Sequence, residues 1–432
     1  MTDFKISAKW IPQDGRNEAD ATLSNLLIEV NDRKVSEFVD RRDQVSECLQ
    51  IPAYYLAEWI AENWWPLLWE PRKSEEGDDT AYFLARHSFL AAQHGYALPK
   101  VLIVAFGGAI EIAASQRSVP LAGVRFKQRA QASCPRDLVQ GQLRQYVQSV
   151  IDRLNEMRVS GTWLQDTWAL ISDTDAEAEQ FCRFAGALGL SPYDIDETIA
   201  NMLERLQPLL GDGFLMDLCL ATSPEQFPAM AIVAERAHEI VRDAPTSTLS
   251  PIASVDPPKE NLANPAYRRG VQGAYILRKR LDIKDTDVRG ATKVFERFEI
   301  DTAVRSFSSR NATSDESAIT GAVVRNDGVM KIGLLEEKET KRRFAGARAI
   351  FSAWSSDGST EPRLLTSAVT RDQQANRAFA AELTAPEAVV KSYAKNGRLS
   401  TASLFDLAAE AQISPDVVAK RASDIGIRVP PI

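Results

Sequence analysis

The chain has 432 residues, 44% hydrophobic and 25% charged, with a net charge of −8. That length is ample for several cored domains, and the acidic balance speaks against wholesale nucleic-acid binding while leaving a local basic patch open. With no signal-like apolar core at the N-terminus and no run of about 18 apolar residues, the expectation is a cytoplasmic protein without a membrane span. Cys48, Cys134, Cys182 and Cys219 are scattered, form no CxxC pair and read as reduced thiols.

Residues 3–50 carry strand signals. Ile6, Ala8 and Trp10 alternate with polar residues, and two apolar runs flank the turn Asn31-Asp32. The stretch 54–69 reads as one helix that Pro66 stops or kinks. Its Trp59, Trp64 and Trp65 suit a helix packed on the sheet. Adjacent tryptophans point about 100° apart on a helix, so a surface for a partner or a stacked base stays open. Gly107-Gly108 joins two further strand candidates. His87 and His94 have no acidic or cysteine partner at ligand spacing and read as surface or capping residues.

From 136 to 243 the periodicity turns helical, with a clean stripe at Leu138, Leu143, Val147, Val150, Ile151 and Leu154. His238 opens a sequence resembling a zinc-binding helix, but Arg242 stands where a second histidine is needed. Residues 244–265 hold five prolines and read as a linker and main domain boundary. A basic helix follows, with Arg268, Arg269, Arg278, Lys279 and Arg280. It suits either a solvated face balanced by Asp282, Asp285 and Asp287 or contacts to phosphates. Strands are expected over 303–307, 322–324 and 329–335, the last two joined by the hairpin turn Asn326-Asp327-Gly328.

Two helices then lie within 342–386, one with Phe344, Ala347, Ile350, Phe351 and Trp354 at helical spacing, the other with Ala375, Phe379, Ala380 and Leu383. A helix, a capped turn at Ser414-Pro415 and a second helix with Lys420 and Arg421 give a helix-turn-helix shape. In a DNA reader, Lys420 and Arg421 would meet phosphate or base edges; in an appended structural element they face water. The expectation is an α+β, multi-domain chain: an N-terminal antiparallel β-sheet with helices (1–135), a central helical bundle (136–243), the linker (244–265), a helix pair with a small β-sheet (266–398) and the helix-turn-helix-like tail (399–432).

The run ANRAFAAELTAPE, followed by LFDLAAEAQISPDVVAKRASDIG, resembles the C-terminal part of the ImmA/IrrE-type metallopeptidases. The resemblance covers about 266–432, with its specific part at 342–427. It implies a zincin-like domain with an HExxH helix followed by a helix bearing an acidic zinc ligand. In this chain the motif is degenerate. Alignment on Arg343-Phe344 puts Arg348 at the first histidine, Ala349 at the catalytic glutamate and Ser352 at the second histidine. The acidic ligand falls on Asp372 or within about one residue of it. Guanidinium offers no lone pair and alanine cannot deprotonate water, so neither metal nor cofactor nor peptidase chemistry is expected. An ion pair between Arg348 and Asp372 across the two helices is expected in place of the metal, the alternative being Arg348 in solvent.

The resemblance implies a non-catalytic regulator or sensor with a protein or signal partner, in stress response, mobile-element control or phage defence. Two other readings remain: a DNA-binding transcriptional regulator using Arg268, Arg269, Lys420 and Arg421, and an enzyme with an N-terminal site. No P-loop, GxSxG elbow or GxGxxG turn supports the last.

Overall fold

The computed structural model describes residues 4–13, 15, 17–73, 78–301, 318–356 and 360–430. The expected strand at 303–307 lies outside them. The chain is mixed α+β, its named strands all paired antiparallel, and it divides into two compact units, Met1–Leu203 and Glu204–Ile432.

The first unit begins with β1 (Phe4–Trp10), α1 (Glu18–Ala21), β2 (Leu23–Val30), β3 (Arg33–Lys34), β4 (Phe38–Val39), β5 (Val45–Ser46) and β6 (Leu49–Pro52). Alternation along β2 buries Ser24, Leu26, Ile28 and Val30 on one face. Asn31 and Asp32 both take positive φ, as a two-residue hairpin turn requires. The stretch expected as one helix is two: α2 (Tyr54–Glu62) and α3 (Trp64–Trp69). The break is at Asn63, whose φ of −103° and ψ of 15° leave the helical region, whereas Pro66 sits inside the first turn of α3, where its missing N–H costs nothing.

After α4 (Asp78–His87) come β7 (Lys100–Phe106), β8 (Ala109–Ser115), β9 (Arg117–Val119), β10 (Val124–Phe126) and β11 (Ala130–Pro135). They form one sheet in the order β11-β8-β7 and extend another as β5-β4-β10-β9. Then follow α5 (Arg136–Glu156), α6 (Trp163–Ser172) and α7 (Ala176–Leu188). The helical stripe of α5 lies on β1, β8 and β11, while α6 packs on α2 and α7 on α3. The division between the units falls within α8 (Glu197–Leu210).

The second unit contains α9 (Asp212–Ala221), α10 (Phe227–Asp243), β12 (Thr246–Thr248), α11 (Ala266–Arg280), α12 (Gly290–Arg297), β13 (Ile319–Asn326), β14 (Val329–Leu334), α13 (Glu339–Trp354), β15 (Arg363–Thr366), α14 (Arg371–Thr384), α15 (Glu387–Tyr393), α16 (Thr401–Ala411) and α17 (Pro415–Asp424). Its sheet runs β12-β14-β13-β15. The helices α9 and α10 pack on this sheet, so the helices of 136–243 are shared between two cores and do not make a bundle of their own. Each has an apolar stripe, and the nearest open sheet face is what covers it.

The proline-rich stretch 244–265 likewise belongs to the second unit. Thr246–Thr248 pairs with β14, the Val255 carbonyl accepts from Trp354 Nε1 at 2.8 Å, and Glu260 pairs with Arg371. Prolines set its path, but side-chain and strand bonds hold it down. Helix α11 approaches α14 very closely: a Cβ on Gly270 would lie 1.9 Å from the Ala375 carbonyl oxygen, and one on Gly273 would lie 2.6 Å from the Phe351 ring. The helix pair α13–α14 closes on this face through stacked Phe351 and Phe379, centroids 4.9 Å apart.

Candidate functional site

The strongest concentration of buried polar chemistry lies between α13, α14 and the β13–β15 end of the sheet. Arg348 is 3% exposed. Its Nε donates to Asn376 Oδ1 at 3.0 Å, its Nη1 to Thr320 Oγ1 at 3.1 Å, and its Nη2 to the Thr366 carbonyl at 2.6 Å and Gln373 Oε1 at 2.7 Å. Every one of these acceptors is neutral. Burial, together with the nearby Arg377 guanidinium, pushes the Arg348 pKa down to about 9, with Glu336 pulling the other way. The cation persists at neutral pH.

The expected ion pair with Asp372 is absent. Asp372 points outward, its side chain 59% exposed, and accepts from Arg269 Nη1 at 2.8 Å. Gln373, one residue later, faces Arg348. Successive residues on a helix differ by about 100°, so the Thr370 cap fixes which one turns inward: its side chain accepts from the Gln373 N–H and starts the helix in that phase. Asn376, three residues on, shares the face. Gln373 also accepts from the Thr366 N–H and donates to the Leu364 carbonyl, which closes the network onto β15.

Ala349 is fully buried and Ser352 is half-buried on the same helix. Around Arg348 the side chains are a guanidinium, two carboxamides and hydroxyls. A zinc ion needs imidazole, thiolate or carboxylate donors, so these residues do not fit one. Among the described residues, no three His, Cys, Asp or Glu side chains gather in a way that suits a metal.

The tryptophans are core residues, not a partner surface. Trp59, Trp64 and Trp65 are 6%, 0% and 4% exposed. Because α2 ends at Glu62, Trp64 and Trp65 open a new helix: Trp64 packs edge-on against Trp168, and Trp65 Nε1 donates to the Tyr193 hydroxyl. The basic residues divide. Arg268 and Lys420 are exposed, Lys420 beside Asp424 at 3.2 Å. Arg269 bonds Glu260 and Asp372, and Arg421 is buried against Glu382, so both are held internally and neither presents a free cation. Arg278, expected on a solvated face, is 1% exposed and donates to the carbonyls of Leu383, Lys284 and Asp287.

Two features went unread in the sequence. His87, expected at the surface, is fully buried: its Nδ1 lies 2.7 Å from the Ile103 carbonyl and its Nε2 3.0 Å from Glu70 Oε2. Burial raises the Glu70 carboxyl, but hydrogen bonds from His87 and a two-pronged Arg86 outweigh it and hold it at about 2. Glu70 to His87 is too long a separation for any local motif. The second is a groove of about 860 Å³ over the outer face of β1 and β2, lined in part by Lys9, Asn25, Phe38, Glu47, Cys48 and Gln50. The other alternation positions of β2 mark it, since Asn25 and Leu27 are only half-buried.

Among the described residues, no helix is long and apolar enough to cross a membrane. No protein-family model matches this chain, and neither does any curated protein or solved structure.

Proposed function

We propose that the chain is a non-catalytic regulatory or sensor protein that binds a protein or signal partner. In this reading residues 266–398, within the second unit, are a degenerate ImmA/IrrE-like, zincin-like scaffold with α13 and α14 as its helix pair, and residues 399–432, with α16 and α17, are a helix-turn-helix-like tail. One observation carries it: at the position aligned with the first zinc histidine stands Arg348, buried and held by four neutral oxygens. A cleft filled this way keeps its shape without a metal and has no base to activate water. The settings implied by the resemblance are stress response, mobile-element control and phage defence.

The test is metal analysis of the purified full chain after equilibration with zinc, together with a protease assay on an unfolded protein substrate. Sub-stoichiometric zinc and no cleavage are expected. One zinc per chain with cleavage would overturn the reading. Cross-linked capture from the native host should then recover a partner that stays intact.

A further inference from the structure

Two guanidiniums converge on a single carbonyl oxygen in the second unit. Arg348 Nη2 donates to the Thr366 oxygen at 2.6 Å, and Arg377 Nη1 donates to the same oxygen at 3.2 Å. Arg377 Nη2 continues to the Ala368 carbonyl at 3.0 Å. The neighbouring Arg269, Arg363, Arg371 and Arg421 each have a carboxylate: Asp372, Asp217, Glu260 and Glu382. Arg348 and Arg377 have none within ion-pair distance among the described residues, and burial alone lowers the pKa of Arg377.

Like charges this close repel, and dipoles of neutral oxygens offset that only in part. The pair is not sealed. Arg377 is half-buried, and each of its terminal nitrogens commits one donor, which leaves its Nε and further N–H groups uncommitted. Arg348 Nη1 likewise makes one bond, to Thr320. Two cations, a partly exposed planar fork and no carboxylate within ion-pair distance among the described residues, with Glu336 acting on Arg348 only from further off, match a doubly charged oxyanion better than a single carboxylate.

We propose that Arg348 and Arg377 bind the phosphate group of a small phosphorylated molecule or free phosphate, entering from the Arg377 side. This rests on reading the cleft as a binding site and not a catalytic one. The group sits against the uncommitted edge of Arg377, with Arg348 supplying the second charge from behind.

The full chain is followed by thermal unfolding in inorganic phosphate, against sodium chloride at matched ionic strength. Phosphate at ten times its dissociation constant should raise the Tm by about 2–4 °C. Arg377→Gln should abolish the shift, and Arg377→Lys should keep part of it. Ribose 5-phosphate is the second arm: a shift reached at lower concentration than with inorganic phosphate assigns the site to a phosphate ester, and an equal one to free phosphate. Phosphorus NMR line broadening on the unaltered chain gives a readout that does not depend on the variants folding. Equal Tm in phosphate and chloride without broadening, or an undiminished shift in Arg377→Gln, overturns the assignment. Zinc is measured in the same preparation. Stoichiometric zinc defeats the non-catalytic reading, whereas absence of both zinc and phosphate binding defeats only the phosphate site.

Discussion

Arg348 is buried with four charge-assisted hydrogen bonds and no carboxylate, so removing it has two effects. Four acceptors lose their donor and a cavity opens beneath them. Arg348→Ala should therefore cost about 3–5 kcal/mol of stability, read as a lowered denaturant midpoint. Unchanged stability would place the side chain outside the core. Glu70 supplies the pH dependence of the first unit. Its folded-state pKa of about 2 lies below the ordinary 4.5, so its contribution is complete above that ordinary value and is lost as pH falls through about 2. Unaltered protein should exceed Glu70→Gln in stability by on the order of 3 kcal/mol at pH 6, and the gap should narrow progressively between pH 5 and pH 2. A constant gap in urea titrations across that range would refute the account. The sequence carried the residue types at both places but not their geometry. Asp372 and Gln373 are adjacent, and which one faces Arg348 depends on a helix phase set by a single cap at Thr370. His87 and Glu70 meet only because α3 and α4 fold back on β7.

Elements were more legible where local chemistry fixes them. The turn Asp327-Gly328 takes two positive φ values between β13 and β14, as the Asn-Asp-Gly run implies. The Ser414 cap and Pro415 start α17 where they should. Partnership was not legible: an amphipathic helix does not say which sheet it covers, and this is why α5 and α10 belong to different units. Small residues did mark a close approach, though not its partner. Gly270→Ala would force a methyl onto the α14 backbone and should destabilise by about 1–3 kcal/mol or more. Gly141→Ala, in α5 with nothing within 4 Å of the added carbon, should stabilise by about 0.4–1 kcal/mol. Thermal melts of the two variants should shift in opposite directions. The tail hangs on another element-scale contact. Arg421 of α17 bonds Glu382 of α14, which is 1% exposed. Arg421→Ala leaves that carboxylate buried without its cation, so amide hydrogens of α16 and α17 should exchange faster while those of α5 do not change. Equal protection in both forms would mean that the apolar contacts of the tail suffice.

At the scale of the whole molecule, two units with separate apolar cores give the expectation of two calorimetric transitions. Glu70→Gln should move one and Arg348→Ala the other; a single transition shifted by both variants would show that the units unfold together. The second unit has a further property, and it concerns time. Its closing bonds join distant parts of the chain: Arg363 reaches back 146 residues to Asp217, Arg371 reaches 111 to Glu260, and Arg278 waits 105 for the Leu383 carbonyl. During synthesis, at about 5–20 residues per second, α9, α10 and β12 leave the ribosome well before the strands and helices that cover them. Their apolar faces stay open for roughly 5–30 s, a window in which a chaperone can hold them. Non-local pairing of this kind folds slowly, and for this unit the synthesis of β15 and of the helices after it is what commits the chain to its fold.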